Sequence, residues 1–277
     1  MTILTKFGAL TLAVMVPTGA ALADGMDKLR PHRAVYDLQL QKASDRSGIS
    51  GMNGRIVYEM IGSRCEGFAT RFRFLTDVRT RSKNFTNDQR TTSYESADGK
   101  SFSFVTQSFL NGQLEQDLRG EAKSTPSAIE VKITKPEKQQ VELEPALFMT
   151  QHIGQMIEAA RNGQTFFTAK VFDGSEGGDQ LVDTTAVIGK KKPDVTGIEG
   201  EEEKLAKAFS GETAWPVSVS YFSTAPSQDQ SEKVPIYSVS FLMHESGVSR
   251  DLTMRYADYS LKADLKQIEY LKVDECK

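Results

Sequence analysis

The sequence predicts a mainly β protein: one long antiparallel sheet interrupted by a single substantial helix. Two observations carry this. Apolar residues recur at every second position over many short segments, which puts one side of each strand on a core and the other in water. Turn dipeptides separate those segments. Tyr36, Leu38 and Leu40, alternating with Asp37, Gln39 and Gln41, mark the first clear strand. Phe68, Phe72 and Phe74 share a face with Thr70 and leave Arg71 and Arg73 on the other. Asp98-Gly99 and Asn111-Gly112 read as two-residue hairpin turns bracketing a strand over about 100–110, because type I′ turns need positive φ at both positions. Ile129, Val131 and Ile133 continue the alternation. It returns at Val217, Val219 and Tyr221, at Tyr237, Val239, Phe241 and Met243, and at Leu252, Met254 and Tyr256, with Ser246-Gly247 as a hairpin tip. The pattern amounts to roughly a dozen strands. No internal repeat or low-complexity linker is visible, and 190–204 (KKKPDVTGIEGEEEK) reads as a long exposed loop.

The helix is predicted over 146–161. Met149, Ile153, Met156, Ile157 and Ala160 fall on one helical face. Pro145 suits the first helical position and Gly163 the stop. Such a helix either covers a core or plugs the mouth or concave side of a curved sheet until a ligand displaces it. Met149, Ile153, Met156 and Ile157 are therefore the candidate ligand- or partner-binding residues.

The N-terminus reads as an export signal. Lys6 precedes an apolar run, residues 7–16, that is too short to span a bilayer, and Pro17 and Gly19 break it. Ala21-Leu22-Ala23 supplies the small-x-small pattern of a cleavage site. The reading is a signal peptide over 1–23, cleaved near Ala23, and a single domain over 24–277. No cysteine stands at the cleavage point for lipid attachment, and no later stretch approaches the about 20 apolar residues of a membrane span. With Lys6 gone, the net charge of −3 becomes about −4. That balance points to neither nucleic acid nor an anionic membrane as partner.

Chemistry-bearing motifs are sparse. His32, His152 and His244 lie far apart with no metal-ligand spacing. No nucleophile elbow, phosphate-binding loop or dinucleotide fingerprint is present. The reading is of no catalytic residue, no metal and no cofactor. His152 reads as a hydrogen-bonded anchor for the helix. The densest acidic cluster is 172–179 (FDGSEGGD). Asp173, Gly174 and Ser175 there read as a structural loop in which Asp173 and Ser175 bond their own backbone. The alternatives are calcium coordination, for which no Glu follows at the spacing of a calcium loop, and a glycan-acting enzyme using Asp173, Glu176 or Asp179.

Cys65 and Cys276 are the only cysteines. In an oxidising compartment they predict one intramolecular disulfide, against the alternatives of free thiols or mixed disulfides with partners. A closed loop of about 210 residues is worth about 5 kcal/mol at most. The C-terminus would then pack beside the strand after Cys65, making the first and last strands neighbours or stacked.

His32-Arg33-Ala34-x-Tyr36, Gly54-Arg55 and Cys65-Glu66-Gly67-Phe68 resemble the EipB-like cell-envelope integrity proteins of Gram-negative bacteria. Glu95-Ser96-x-Asp98-Gly99, Phe172-Asp173-Gly174-Ser175, the run from Pro216 to Tyr221 and the final cysteine extend the resemblance over the whole mature chain. The resemblance implies a periplasmic, disulfide-stapled protein with a strongly curved, spiral or open-barrel sheet and a helix against it, similar to lipoprotein carriers. It carries the family's cysteines onto Cys65 and Cys276, and no catalytic residue.

Three classes of function follow. A non-enzymatic periplasmic factor would maintain envelope integrity by binding an envelope protein, or a lipid or acyl chain, on its concave surface. An envelope enzyme would use the 173–179 loop. An outer-membrane barrel would insert, but charges at mid-strand on the outer faces oppose insertion. The first is the reading adopted.

Overall fold

The structure is a computed structural model and describes residues 26–193, 203–225 and 233–272. In chain order, the first long run of strands is β1 (His32–Ala43), β2 (Ile49–Ser63), β3 (Gly67–Thr80), β4 (Asn84–Glu95), β5 (Ser101–Leu110), β6 (Gln113–Ser124), β7 (Ile129–Lys135) and β8 (Gln139–Leu143). A two-residue strand, β9 (Leu147–Phe148), leads into helix α1 (Met149–Arg161). Then come β10 (Phe166–Phe172), β11 (Val182–Ile188), β12 (Lys192–Pro193), helix α2 (Glu203–Ala208), β13 (Thr213–Ser223), β14 (Tyr237–His244), β15 (Ser249–Tyr256) and β16 (Tyr259–Tyr270).

All the strands join one ribbon. Its path runs from β8 down to β1, crosses to β16, and continues through β15, β14, β13, β11 and β10 to β9, with β12 paired to the start of β13. The first and last strands are neighbours, as the sequence predicts, with His32 opposite Tyr270 and Leu38 opposite Ala263. Every pairing is antiparallel except β9 with β10. The two terminal strands, β8 and β9, do not pair with each other, so the sheet is not closed into a barrel.

Side chains draw the ribbon round instead. Met60 and Phe68, from β2 and β3, share a core with Ile188, Val217 and Met243 from the other arm. Phe148 packs on Phe102 of β5 and Phe172 on Phe102 and Phe104, with ring centroids 5.1–6.0 Å apart, and Phe148 and Phe172 meet each other at 6.4 Å. Strands far apart along the ribbon thus meet through one face, which is the inner face of a strongly curved sheet. The outer face carries the charges. Asp37 pairs with Arg55 at 2.7 Å, Glu59 with Arg71 at 2.8 Å, and Asp88 with both Arg73 and Arg90.

Three local expectations need correction. The helix begins at Met149, not 146, because Leu147 and Phe148 are drawn into the parallel pairing with Val171 and Phe172. Pro145 is therefore not its first residue. Asn111-Gly112 is the expected two-residue turn, with φ of 51° and 80°. Asp98-Gly99 is not. There only Gly99 has positive φ, and Asp98 accepts the Lys100 N–H instead, giving a wider turn closed by Gly99 N–H on the Ser96 carbonyl. The loop expected over 190–204 holds strand β12 and the start of α2, whose Leu205 is buried, while 194–202 lie outside the described residues.

Candidate functional site

The inner face can be read row by row through the strand registers. One row is Ile56, Phe74, Gln89, Ser108 and Gln116, across β2 to β6. The next is Tyr58, Phe72, Thr91, Thr106 and Leu118, and the next Met60, Thr70, Ser93, Phe104 and Gly120. On the other arm, Tyr221, Tyr237 and Tyr256 form one row, and Val219, Val239, Met254 and Leu261 another. No lysine or arginine occupies any of these positions. In these rows the face is largely apolar on β2, β3 and β13 to β16, and it carries amide and hydroxyl groups at Gln89, Thr91 and Ser93 of β4 and at Thr106 and Ser108 of β5.

Helix α1 fills part of the enclosed space. Met156 and Ile157 are buried among Trp215, Val217 and Val219, and Ile153 packs at the margin. Two of the four candidate binding residues are thus interior core, while Met149 and Ile153 keep partial exposure. His152, also buried, hydrogen-bonds Thr184 Oγ1 at 3.1 Å. Burial pushes its pKa down to about 4, so it stays neutral and serves as a helix anchor.

The start of α1 depends on a residue that the sequence reading named only within the Glu95-Ser96-x-Asp98-Gly99 match and gave no role. Phe148, at the helix N-cap, has no polar side chain to accept the free N–H groups of the first turn. Glu95, at the end of β4, supplies the acceptors. Its Oε2 takes the Thr150 N–H at 2.8 Å and its Oε1 the Gln151 N–H at 3.2 Å. Gln151 Oε1 in turn accepts the Phe148 N–H at 3.1 Å. Glu95 is 2 % exposed. Burial raises its pKa to about 7, against the lowering effect of those amide donors. The signal was present in the sequence as a lone acid in an inner-face register position, but only the fold shows that a helix end lies against it.

Beyond α1 a second core, with Tyr36, Leu38, Ile56, Met254 and Phe209 among its buried members, covers part of the inner face. Phe72, Phe74, Phe85, Val239, Tyr256 and Tyr259 are only half-buried although they point inward. Side chains of this size close a packed interior completely. Their partial exposure leaves an apolar margin beside that core open to solvent. Tyr221, Tyr237, Tyr256 and Tyr259 stack along it in succession, with centroid separations of 4.4, 5.7 and 4.6 Å.

The remaining candidates are accounted for structurally. Asp173 Oδ1 accepts the Ser175 N–H at 2.8 Å, the self-bonded turn expected of that loop. Gly174 has φ of 70°, and a Cβ there would lie 2.5 Å from the Phe104 ring. The loop thus seals the phenylalanine cluster. Asp179 is described as part of that loop, and the side chain of Glu176 lies outside the described residues. Among the described residues no group of three His, Cys, Asp or Glu is placed to hold a metal. Cys65 sits in the β2–β3 turn, its N–H on Ser63 Oγ, and Cys276 lies outside the described residues. No described helix is long and apolar enough to cross a membrane.

Fold and site together define a barrel-like β protein whose open, strongly curved sheet carries an apolar inner face that helix α1 partly covers. The chain belongs to the EipB-like family, whose model matches residues 23–272. It is 40% identical, over 91% of its length and 88% of the relative's, to a Brucella abortus protein named cell envelope integrity protein EipB. A crystal structure described as a beta-barrel-like protein of a domain of unknown function, also from Brucella abortus, superposes with a TM-score of 0.80 at 39% identity. That match covers 88% of this chain and 99% of the other.

Proposed function

We propose that this protein is a non-enzymatic periplasmic factor that maintains cell-envelope integrity by holding a lipid, or an apolar segment of an envelope protein, on its apolar inner face. The observation that carries the reading is the half-buried apolar inner face. Exposed apolar surface costs about 25 cal/mol per Å², and a concave, mostly apolar lining with a few polar groups is the usual form of a ligand site. The Brucella relative's name supports the envelope role. Export is supported by the signal-like N-terminus, beside which the family match begins, at residue 23. The Cys65–Cys276 staple belongs to the same reading, supported by the absence of a free thiol among the described residues.

The test is complementation. Cells lacking the protein are challenged with detergent and cell-wall stress while expressing either the wild type or a Phe74→Glu/Tyr256→Glu variant. Loss of survival with a variant that is exported and folded supports the reading. Full rescue by that variant overturns it.

A further inference from the structure

We infer that the ligand of the inner face is an amphiphile with an uncharged, hydrogen-bonding head group: an acyl chain carrying a sugar-like head rather than an anionic phospholipid. This rests on the reading just proposed and specifies the ligand class. Three features on the inner face lead to it.

The first is charge. No lysine or arginine stands in the inner rows traced through β2 to β6 or through β13 to β16, whereas the convex face of the same strands carries Arg55, Arg71, Arg73 and Arg90. Recognition of a phosphate or carboxylate head depends on such cations or on helix N-termini. The N-terminus of α1 is already occupied by Glu95. The fully buried Arg250 of β15 is already engaged, its guanidinium over the Phe209 ring at 4.3 Å and 3.4 Å from His244 Nε2, so an anion held against the traced rows would meet no cation among them, an unfavourable desolvated arrangement.

The second is the division of the face. Phe72 and Phe74 on β3 border Thr91 and Gln89 on β4, which border Thr106 and Ser108 on β5. An apolar wall therefore runs directly into a neutral hydroxyl and amide wall, with no charged residue between. The side chains of Gln89 and Ser108 are half-buried and hydrogen-bond to no described residue. Both keep donors and acceptors available.

The third is the tyrosine run. Tyr256 and Tyr259 stack at 4.6 Å with their hydroxyls likewise bonded to no described residue. Tyrosine presents an apolar ring with a polar tip, which suits the junction between a chain and a hydroxyl-rich head.

The test uses the mature full-length protein and three probes at concentrations below micelle formation: dodecyl maltoside, 1-lauroyl-lysophosphatidylglycerol with the same chain length, and maltose alone, each followed by calorimetry. The inference requires dodecyl maltoside to bind at least tenfold more tightly than the anionic lipid. It also requires Gln89→Leu/Ser108→Ala to weaken the maltoside by about two- to tenfold, the loss of one or two neutral hydrogen bonds, while leaving the anionic lipid unchanged. Equal binding of the two amphiphiles, or tighter binding of the anionic one, overturns the inference and leaves the apolar inner face standing as a binding site. Tight binding of maltose alone also overturns it, since the chain would then contribute nothing. Binding of none of the three overturns both this inference and the reading on which it rests.

Discussion

Replacing Glu95 tests how the plug helix is held. Its folded pKa of about 7 stands above the ordinary value of 4.5, with burial as the main cause. The sign follows from linkage. A carboxyl whose pKa is raised on folding binds its proton more tightly in the folded state, so the stability it contributes is fully present below pH 4.5 and is lost as pH rises through 7. Between pH 8 and pH 6 the unfolded carboxyl stays ionised while the folded one takes up its proton. The fold gains about 1.4 kcal/mol over that interval, or about 3–5 °C in Tm for a chain of this size. His32 and His152 act in the opposite sense. Burial lowers both pKa values, so their contribution is lost as pH falls through 6.5. The useful quantity is therefore the difference between wild type and Glu95→Gln, in which the histidines cancel. Glutamine places one amide against the two N–H groups and lowers Tm by an amount independent of pH. Thermal unfolding followed by circular dichroism at pH 8, 7 and 6 should show the wild type's advantage growing by 3–5 °C on acidification. An advantage that stays flat or shrinks would mean that the helix N-terminus keeps Glu95 ionised, and that burial does not control it.

Four further outcomes are expected. Cys65→Ser should destabilise the protein by up to about 5 kcal/mol, and reduction of the wild type should do the same; superimposable melts with and without reductant would remove the staple. Ile157→Ala, at a fully buried position, should cost about 2–5 kcal/mol, and a loss below 1 kcal/mol would show that α1 is not docked in the core. Gly174→Ala meets the Phe104 ring at 2.5 Å with φ of 70°; it should cost about 1–3 kcal/mol, and a neutral result would detach the loop from the cluster. Asp173→Ala removes one acceptor from a turn and should lower stability by about 1 kcal/mol while leaving stress survival intact, whereas abolished survival with a normal melt would favour the enzyme reading.

Much of the architecture was legible because its physics is periodic. The alternation in β1, β7 and β13 to β15 follows from one buried face, and Asn111-Gly112 can form only a narrow range of turns. β4 was hidden for a physical reason. Its sequence, NFTNDQRTTSYE, is polar on both faces, with Asn87, Gln89, Thr91 and Ser93 at the inner positions, so no alternation of apolar and polar residues marks it. The start of α1 was misplaced because local propensity cannot foresee that Leu147 and Phe148 pair with β10. Of the candidate binding residues, spacing found the correct helical face but not its burial. Whether Met156 meets a ligand or Trp215 depends on strands more than 50 residues away. The neutral wall proposed to meet the ligand, Gln89, Thr91 and Ser108 beside Phe72 and Phe74, has no signature along the chain. It exists only across the strands.

The most direct test of the account is what the native protein carries. Material released gently from the periplasm, analysed intact by native mass spectrometry and again after solvent extraction, should show a bound amphiphile in roughly one-to-one ratio. The Phe74→Glu/Tyr256→Glu variant should emerge without it. Wild-type protein that carries no adduct, and that also fails to take up an apolar fluorescent probe, would contradict the claim that the inner face is a binding site.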